Sequence, residues 1–155
     1  MDKTLVTRYL AGAPIPGQAM VGLSRADLLA QPVPGTWSIQ QIVIHLMDSD
    51  LIASDRMKRV IAEDNPTIIG YNETAFSQKL CYDLQDATVA AEIFRLNRQQ
   101  TAVILQNVPD AAWSRTGTHN ERGALSLAEL VEIYVNHLDH HMKFLQHKRQ
   151  LLGKP

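Results

Sequence analysis

Trp37-Ser38-Ile39-Gln40-Gln41-Ile42-Val43-Ile44-His45-Leu46 opens a helix and sets a histidine inside its apolar stripe. Ser38 can accept from the backbone N–H of Gln41 while the Gln41 side chain reaches back. Trp37 and Ile42 take the two positions of a hydrophobic staple. The same grammar returns in Leu125-Ser126-Leu127-Ala128-Glu129-Leu130, with Ser126 and Glu129 as the box and Leu125 and Leu130 as the staple. These starts predict one helix from Ser38 to about Ala62, stopped by Asn65-Pro66, and another from Ser126 to about Leu152, ended by Gly153.

A third long helix is expected from Asp83 to about Asn107, with Val89, Ile93, Leu96, Val103 and Ile104 as its apolar stripe and Pro109 beyond its end. Leu5, Val6, Tyr9 and Leu10 are spaced as one helical face, but Pro14 and Pro16 divide the first helix. Its second piece is expected over Ile15 to Leu23. A short helix at Ser24–Ala30 has Ser24 and Asp27 at its start, and Asn72–Leu80 is expected to form another. Thr67-Ile68-Ile69 is too short to read as a strand and is expected as loop. Two connections are long, Glu63 to Tyr82 and Val108 to Leu125, as befits covers for a pocket. The chain reads as all-α, and long helices of this kind form a bundle.

The 155 residues, 45% hydrophobic, suit one domain over residues 1–155 that buries roughly 68–70% of the surface its unfolded chain exposes. A net charge of −1 without a basic run gives no footprint for nucleic acid. The one basic cluster, His147-Lys148-Arg149, complements the negative end of the last helix. No apolar stretch approaches the roughly 20 residues that span a bilayer. Cys81 has no partner for an internal disulfide, and burial as a small apolar residue is its expected fate. With an N-terminus unlike a signal peptide, the expected location is the cytoplasm.

Three of the six histidines sit where a stripe should be apolar. Leu130, Tyr134, His137, His141 and Leu145 follow one face of the last helix, with His137 and His141 one turn apart. His45 lies among Ile42, Leu46 and Ser49. Two imidazoles at i, i+4 can grip one ion, and a third from a facing helix closes a tri-histidine site. The same spacing also occurs in helices that bind nothing, and a lone His45 can be a satisfied core residue. Of the others, His140 is expected to be exposed or an outer partner, His119 to face solvent, and His147 to complement the helix end.

The segment from Trp37 to Asp50 resembles the W-S-x-x-x-x-x-x-H-L-x-D-x-E segment of DinB-like proteins. Arg122-Gly123-Ala124-Leu125-Ser126-Leu127 through His137-Leu138-Asp139-His140-His141 resembles that family's final helix and its H-x-x-x-H, and the resemblance spans roughly Leu5 to Gln146. It implies a four-helix bundle of down-up-up-down type with a long crossover between helices two and three, and a homodimer. It also implies that His45, His137 and His141 bind a divalent metal, zinc or nickel. Asp50 stands where the family often has Glu.

An ion held by three neutral histidines keeps its full charge and open positions, so it can acidify water toward pKa about 7 or bind a thiolate. The family's thiol-dependent S-transferases and metal-dependent hydrolases point the same way. The expected function is a metal-dependent enzyme of one of these types, acting on a small molecule that can include a low-molecular-weight thiol. Its nucleophile is a metal-bound thiol or water. Asp48, one turn after His45, is a candidate to orient that ring through its second nitrogen, and Tyr134 is a candidate to line the pocket. The alternative is a non-catalytic metal-binding or stress-response module whose metal is structural or absent.

Overall fold

A computed structural model describes residues 3–155. In chain order its helices are α1 (Lys3–Ala11), α2 (Ile15–Gln18), α3 (Arg25–Leu29), α4 (Ile39–Ala62), α5 (Glu73–Lys79), α6 (Ala87–Asn107) and α7 (Leu127–Leu151), with a 3-10 helix at Asp110–Ser114. Both long capping boxes form. Ser38 accepts from the Gln41 N–H and the Gln41 side chain accepts from the Ser38 N–H, and Ser126 and Glu129 repeat the pattern. Ser24 and Asp27 make the same exchange ahead of α3. Each cap satisfies N–H groups that a helix start leaves open, worth about 1 kcal/mol.

Side-chain bonds between helices fix their directions. Gln40 bonds to the Tyr82 and Gln85 carbonyls while Asn97 bonds to Asp50, so α4 and α6 run parallel. His45 meets His137 while Arg56 meets Tyr134, so α4 and α7 run antiparallel. Arg8 pairs with Asp139 and Arg149 reaches the Ala19 carbonyl, so the N-terminal segment runs alongside α7 in the same sense. This is the down-up-up-down bundle, and two parallel neighbours require a long crossover, here from Glu63 to Asp86.

Two apolar clusters fill the bundle. One gathers Val6, Tyr9, Met57, Leu105, Trp113, Leu127 and Leu130, the other Ile39, Ile44, Leu46, Tyr82, Phe94, Leu138 and Leu145. Between them lies a buried ion pair. Arg98 Nε donates to Asp50 Oδ1 at 2.9 Å, and its Nη atoms donate to the carbonyls of Tyr9 and Tyr134. Asn97 Nδ2 donates to Asp50 Oδ2 at 2.8 Å, and the guanidinium lies over the Tyr9 and Phe94 rings, 4.5 Å from each centroid. Burial pushes the Asp50 carboxyl up, against the pull of Arg98 and Asn97. With Arg98, Asp50 thus ties α1, α4, α6 and α7 together.

Several expectations need correcting. The third long helix starts at Ala87, because the Asp86 carboxylate accepts from the Thr88 and Val89 N–H groups and caps it there. Its apolar stripe does not face the core: Val89, Ile93, Leu96 and Val103 are exposed. The buried face carries Ala87, Ala90, Ala91, Phe94, Arg98, Thr101, Ala102 and Leu105, whose small and polar members do not read as apolar. The helix expected over Ile15–Leu23 ends at Gln18 and continues as turns. Cys81 is exposed, in a turn where its φ is 54°. Lys148 is buried with its Nζ on the Thr36 hydroxyl at 2.6 Å, so it ties α7 to the loop before α4 rather than only answering a helix end.

Nor is the chain wholly helical outside its turns. Thr67–Ile68 (β1) pairs in parallel with Thr116–His119 (β2), which pairs antiparallel with Gly123–Ser126 (β3). Thr67 and Ile68, read as loop, become a strand because β2 arrives from some fifty residues away, a pairing that no local pattern announces. This small sheet and α5 close one side of the bundle beside the histidines. Among the described residues no helix is long and apolar enough to cross a membrane.

Candidate metal centre

The capping box at Ser38 sets the start of α4, and with it the height of His45; the box at Ser126 does the same for His137 and His141 on the antiparallel α7. The three rings meet. Their centroids are 5.1 Å apart for His45 and His137, 4.6 Å for His45 and His141, and 4.5 Å for His137 and His141. One nitrogen from each lies within 4.8 Å of the others. His45 Nε2 and His137 Nε2 are 3.1 Å apart. Trp37, the staple residue, stacks on His141 at 6.1 Å and leans on His45 at 4.8 Å, walling the cluster from the side of the preceding loop.

This donor set fits a divalent ion. Two nitrogens bound at about 2.0–2.1 Å are about 2.8–3.4 Å apart for angles between octahedral and tetrahedral. The His45–His137 pair at 3.1 Å lies in that range, and the nitrogen of His141 stands within 4.8 Å of both. Metal ligation also needs unprotonated rings. Burial pushes His45 and His137 down to about 3 and His141 to about 4, and the crowding of one ring by another adds to the effect. The three imidazoles are therefore neutral at pH 7.

The depressed values carry a stability consequence. In the unfolded chain each ring protonates near 6.5, whereas in the fold it resists protonation until about 3–4. The stability is therefore present above pH 6.5 and lost as pH falls toward the folded values, by up to about 1.4 kcal/mol per pH unit for each ring. Thermal melts of chelator-treated protein at pH 7.5, 6.5, 5.5 and 4.5 should show the midpoint dropping steeply below 6.5. A flat profile would mean the rings protonate freely in the fold.

Asp48 does not take the place expected of it. It accepts from the Tyr82 hydroxyl at 2.6 Å, and His45 Nδ1 is buried without a partner. One turn along a helix brings a side chain level with its neighbour, but α5 and its flanking turn present Tyr82 to Asp48 first. Tyr134 does line the cavity beside His137, with ring centroids 6.0 Å apart. His140 is exposed, as expected. His119, expected in solvent, is only 6% exposed, because β2 turns it inward and its Nδ1 accepts from the Glu121 N–H at 3.1 Å.

Two further residues escaped the sequence. Glu73, first residue of α5, brings its Oε2 to 3.8 Å from His45 Nε2. Arg56, two turns beyond Ser49 on α4, donates from Nη1 to the Tyr134 hydroxyl and from Nη2 to the Ile69 carbonyl, both at 2.6 Å. Glu73 had a partial signal, since Asn72 caps a short helix in a long connection; Arg56 had none. Together with Tyr71, His119 and Arg122 they surround a cavity of about 350 Å³ that reaches His137.

Residues 18–145 match the model of the DinB superfamily. A protein of Oceanobacillus iheyensis named "Putative metal-dependent hydrolase" is 29% identical over 123 residues, 79% of this chain and 71% of its own length. Bacillus subtilis YfiT, named in the same way, is 24% identical over 120 residues, 77% of this chain and 67% of its own. The four-helix-bundle structure of YfiT superposes with a TM-score of 0.92 at 21% identity, covering 100% of this chain and 91% of that one. A mycothiol-dependent maleylpyruvate isomerase shares the fold with a TM-score of 0.70 at 11% identity, over 90% of this chain and 59% of its own. On its four-helix bundle and its matched span, the chain belongs to the DinB superfamily.

Proposed function

We propose that this protein is a metal-dependent hydrolase of small molecules, with His45, His137 and His141 as the metal ligands and Glu73 as the proton acceptor. The observation that carries the reading is the meeting of three neutral imidazoles with a carboxylate 3.8 Å from one of them, at the end of a cavity large enough for a small substrate. A divalent ion held there supplies a Lewis acid that polarises a substrate oxygen and acidifies water. Zinc and nickel both accept imidazole donors. Glu73 is half-exposed and level with the ligand nitrogens, so it can take a proton from the attacking water and pass it to solvent or to the leaving group. The apolar residues Leu125, Leu130 and Ile133 line the same cavity and would hold the uncharged part of a substrate away from water.

The thiol-transfer reading shares the ligands and differs in the nucleophile, and a mycothiol-dependent neighbour in fold keeps it in view. Purified protein, analysed for its metal and reloaded, should be assayed against esters and amides and against low-molecular-weight thiols with electrophiles. Ester or amide turnover that vanishes in His137→Ala and drops strongly in Glu73→Gln supports the hydrolase. Turnover only with a thiol replaces it with the transferase. No turnover above the His137→Ala control, with a melt that collapses on chelation, leaves a non-catalytic module whose metal is structural. The reading also includes a cytoplasmic homodimer. The exposed Val89, Ile93, Leu96 and Val103 on α6 and the unpaired Cys81 support it, and light scattering should give twice the 17.3 kDa of one chain.

A further inference from the structure

The cavity beside the imidazoles has a wall of hydrogen-bond donors. Arg56 is 9% exposed, its Nε is buried without an acceptor, and among the described residues no carboxylate forms an ion pair with it. The other deeply buried arginine, Arg98, has Asp50 against it. A guanidinium taken out of water without a counter-charge is costly, and the cost is recovered when an anion arrives. The Tyr134 hydroxyl accepts from Arg56, which leaves its own proton free to donate. His119 accepts at Nδ1, so its neutral ring carries the proton on Nε2. Burial holds the His119 pKa down, and Arg56 and then Arg122, exposed on the rim, add to that against the opposing charge of Glu121.

Two carboxylates also line this cavity, and among the described residues neither forms an ion pair with Arg56 or Arg122, though Glu121 lies close enough to act on His119. Glu73 stands at the imidazole end. Glu121 is folded over Gly70, with Oε1 2.9 Å from where a Cβ would stand at that glycine, and it pairs with neither arginine among the described residues.

We infer that the substrate carries a negatively charged oxyanion, a carboxylate or a phosphate, which Arg56, Tyr134, His119 and Arg122 bind while its reacting bond faces the imidazoles. Guanidinium forks suit both kinds of oxyanion. This deepens the hydrolase reading by naming a substrate class, and it rests on that reading for the reaction but not for the binding.

The test uses the full chain stripped of metal. Calorimetric titration with benzoate, phenyl phosphate and uncharged benzamide at constant ionic strength should show one or both anions binding at least about 10-fold more tightly than benzamide. The tighter of the two anions identifies the oxyanion. Arg56→Met should weaken that binding about 10-fold or more, and the exposed Arg122→Met, which leaves the fold alone, about 3-fold. Both variants should keep wild-type zinc affinity. Benzamide binding as well as the anions, or anion binding unchanged in Arg122→Met, overturns the inference. Because no ion is present, these titrations stand or fall separately from zinc binding by the histidines.

Discussion

Replacing Asp50 with alanine should destabilise the protein by about 3–5 kcal/mol, the usual consequence of leaving a buried charge without its partner. Arg98 is 1% exposed, and its Nε would lose the carboxylate that accepts at 2.9 Å. Water cannot easily replace it, since the Tyr9 and Phe94 rings both lie against the guanidinium and both Nη atoms are committed to carbonyls on α1 and α7. Gly12 marks how tightly the group is enclosed, because a Cβ there would stand 2.5 Å from Arg98 Nη1 and 2.6 Å from Leu138 Cδ2. Against a total stability of about 5–15 kcal/mol the loss is large, and for a domain of this size it should lower the melting midpoint by about 6–20 °C. Urea unfolding of Asp50→Ala, Arg98→Met and the double variant checks it. The double variant should be more stable than Asp50→Ala, because it buries no charge. A loss under about 1 kcal/mol in Asp50→Ala would mean that solvent or another acceptor reaches Arg98.

The buried pair also shows which parts of this fold can be read along the chain and which cannot. Helix starts are local: Ser38 with Gln41 and Ser126 with Glu129 each lie within four residues, and both formed where the sequence placed them. The histidine convergence was readable in part: the i, i+4 pair His137 and His141 is local, whereas the arrival of His45 beside it depends on the antiparallel packing of α4 on α7 and was implied by the family resemblance. Facing is harder. On α6 four residues that look apolar, Val89, Ile93, Leu96 and Val103, point outward, while the core side sets Phe94 and Leu105 among alanines, Thr101 and Arg98, whose burial depends on Asp50 forty-eight positions earlier. The sheet was unreadable for the same reason, since β1 has two residues and needs a partner strand from another connection. Glu73 and His119 reach the cavity, and Arg56 on α4 comes to line it, only because α5 and that sheet close this side of the bundle.

His137→Ala should lower zinc or nickel affinity by more than about 100-fold, since residues that merely orient a ligand already account for 10–100-fold. His137 is the sharpest choice of the three. Its Nε2 is the one that faces His45 Nε2 at 3.1 Å, and its ring joins α7 to both the cluster and the cavity. Removing it leaves His45 and His141, with 4.6 Å between centroids, two donors that can still hold an ion loosely. The stripped variant should fold well and resist acid better than the stripped wild type, because one desolvated base is gone; in the wild type that base must stay neutral while the unfolded chain takes up a proton. Metal should then separate the two proteins in the opposite direction. Binding to the folded state alone stabilises by about 2.7 kcal/mol at a free concentration 100 times Kd, so zinc should raise the wild-type midpoint and scarcely move that of His137→Ala. The pair of measurements isolates the site from the scaffold: equal zinc affinity in the two proteins would assign the ion to other donors, even with the bundle intact.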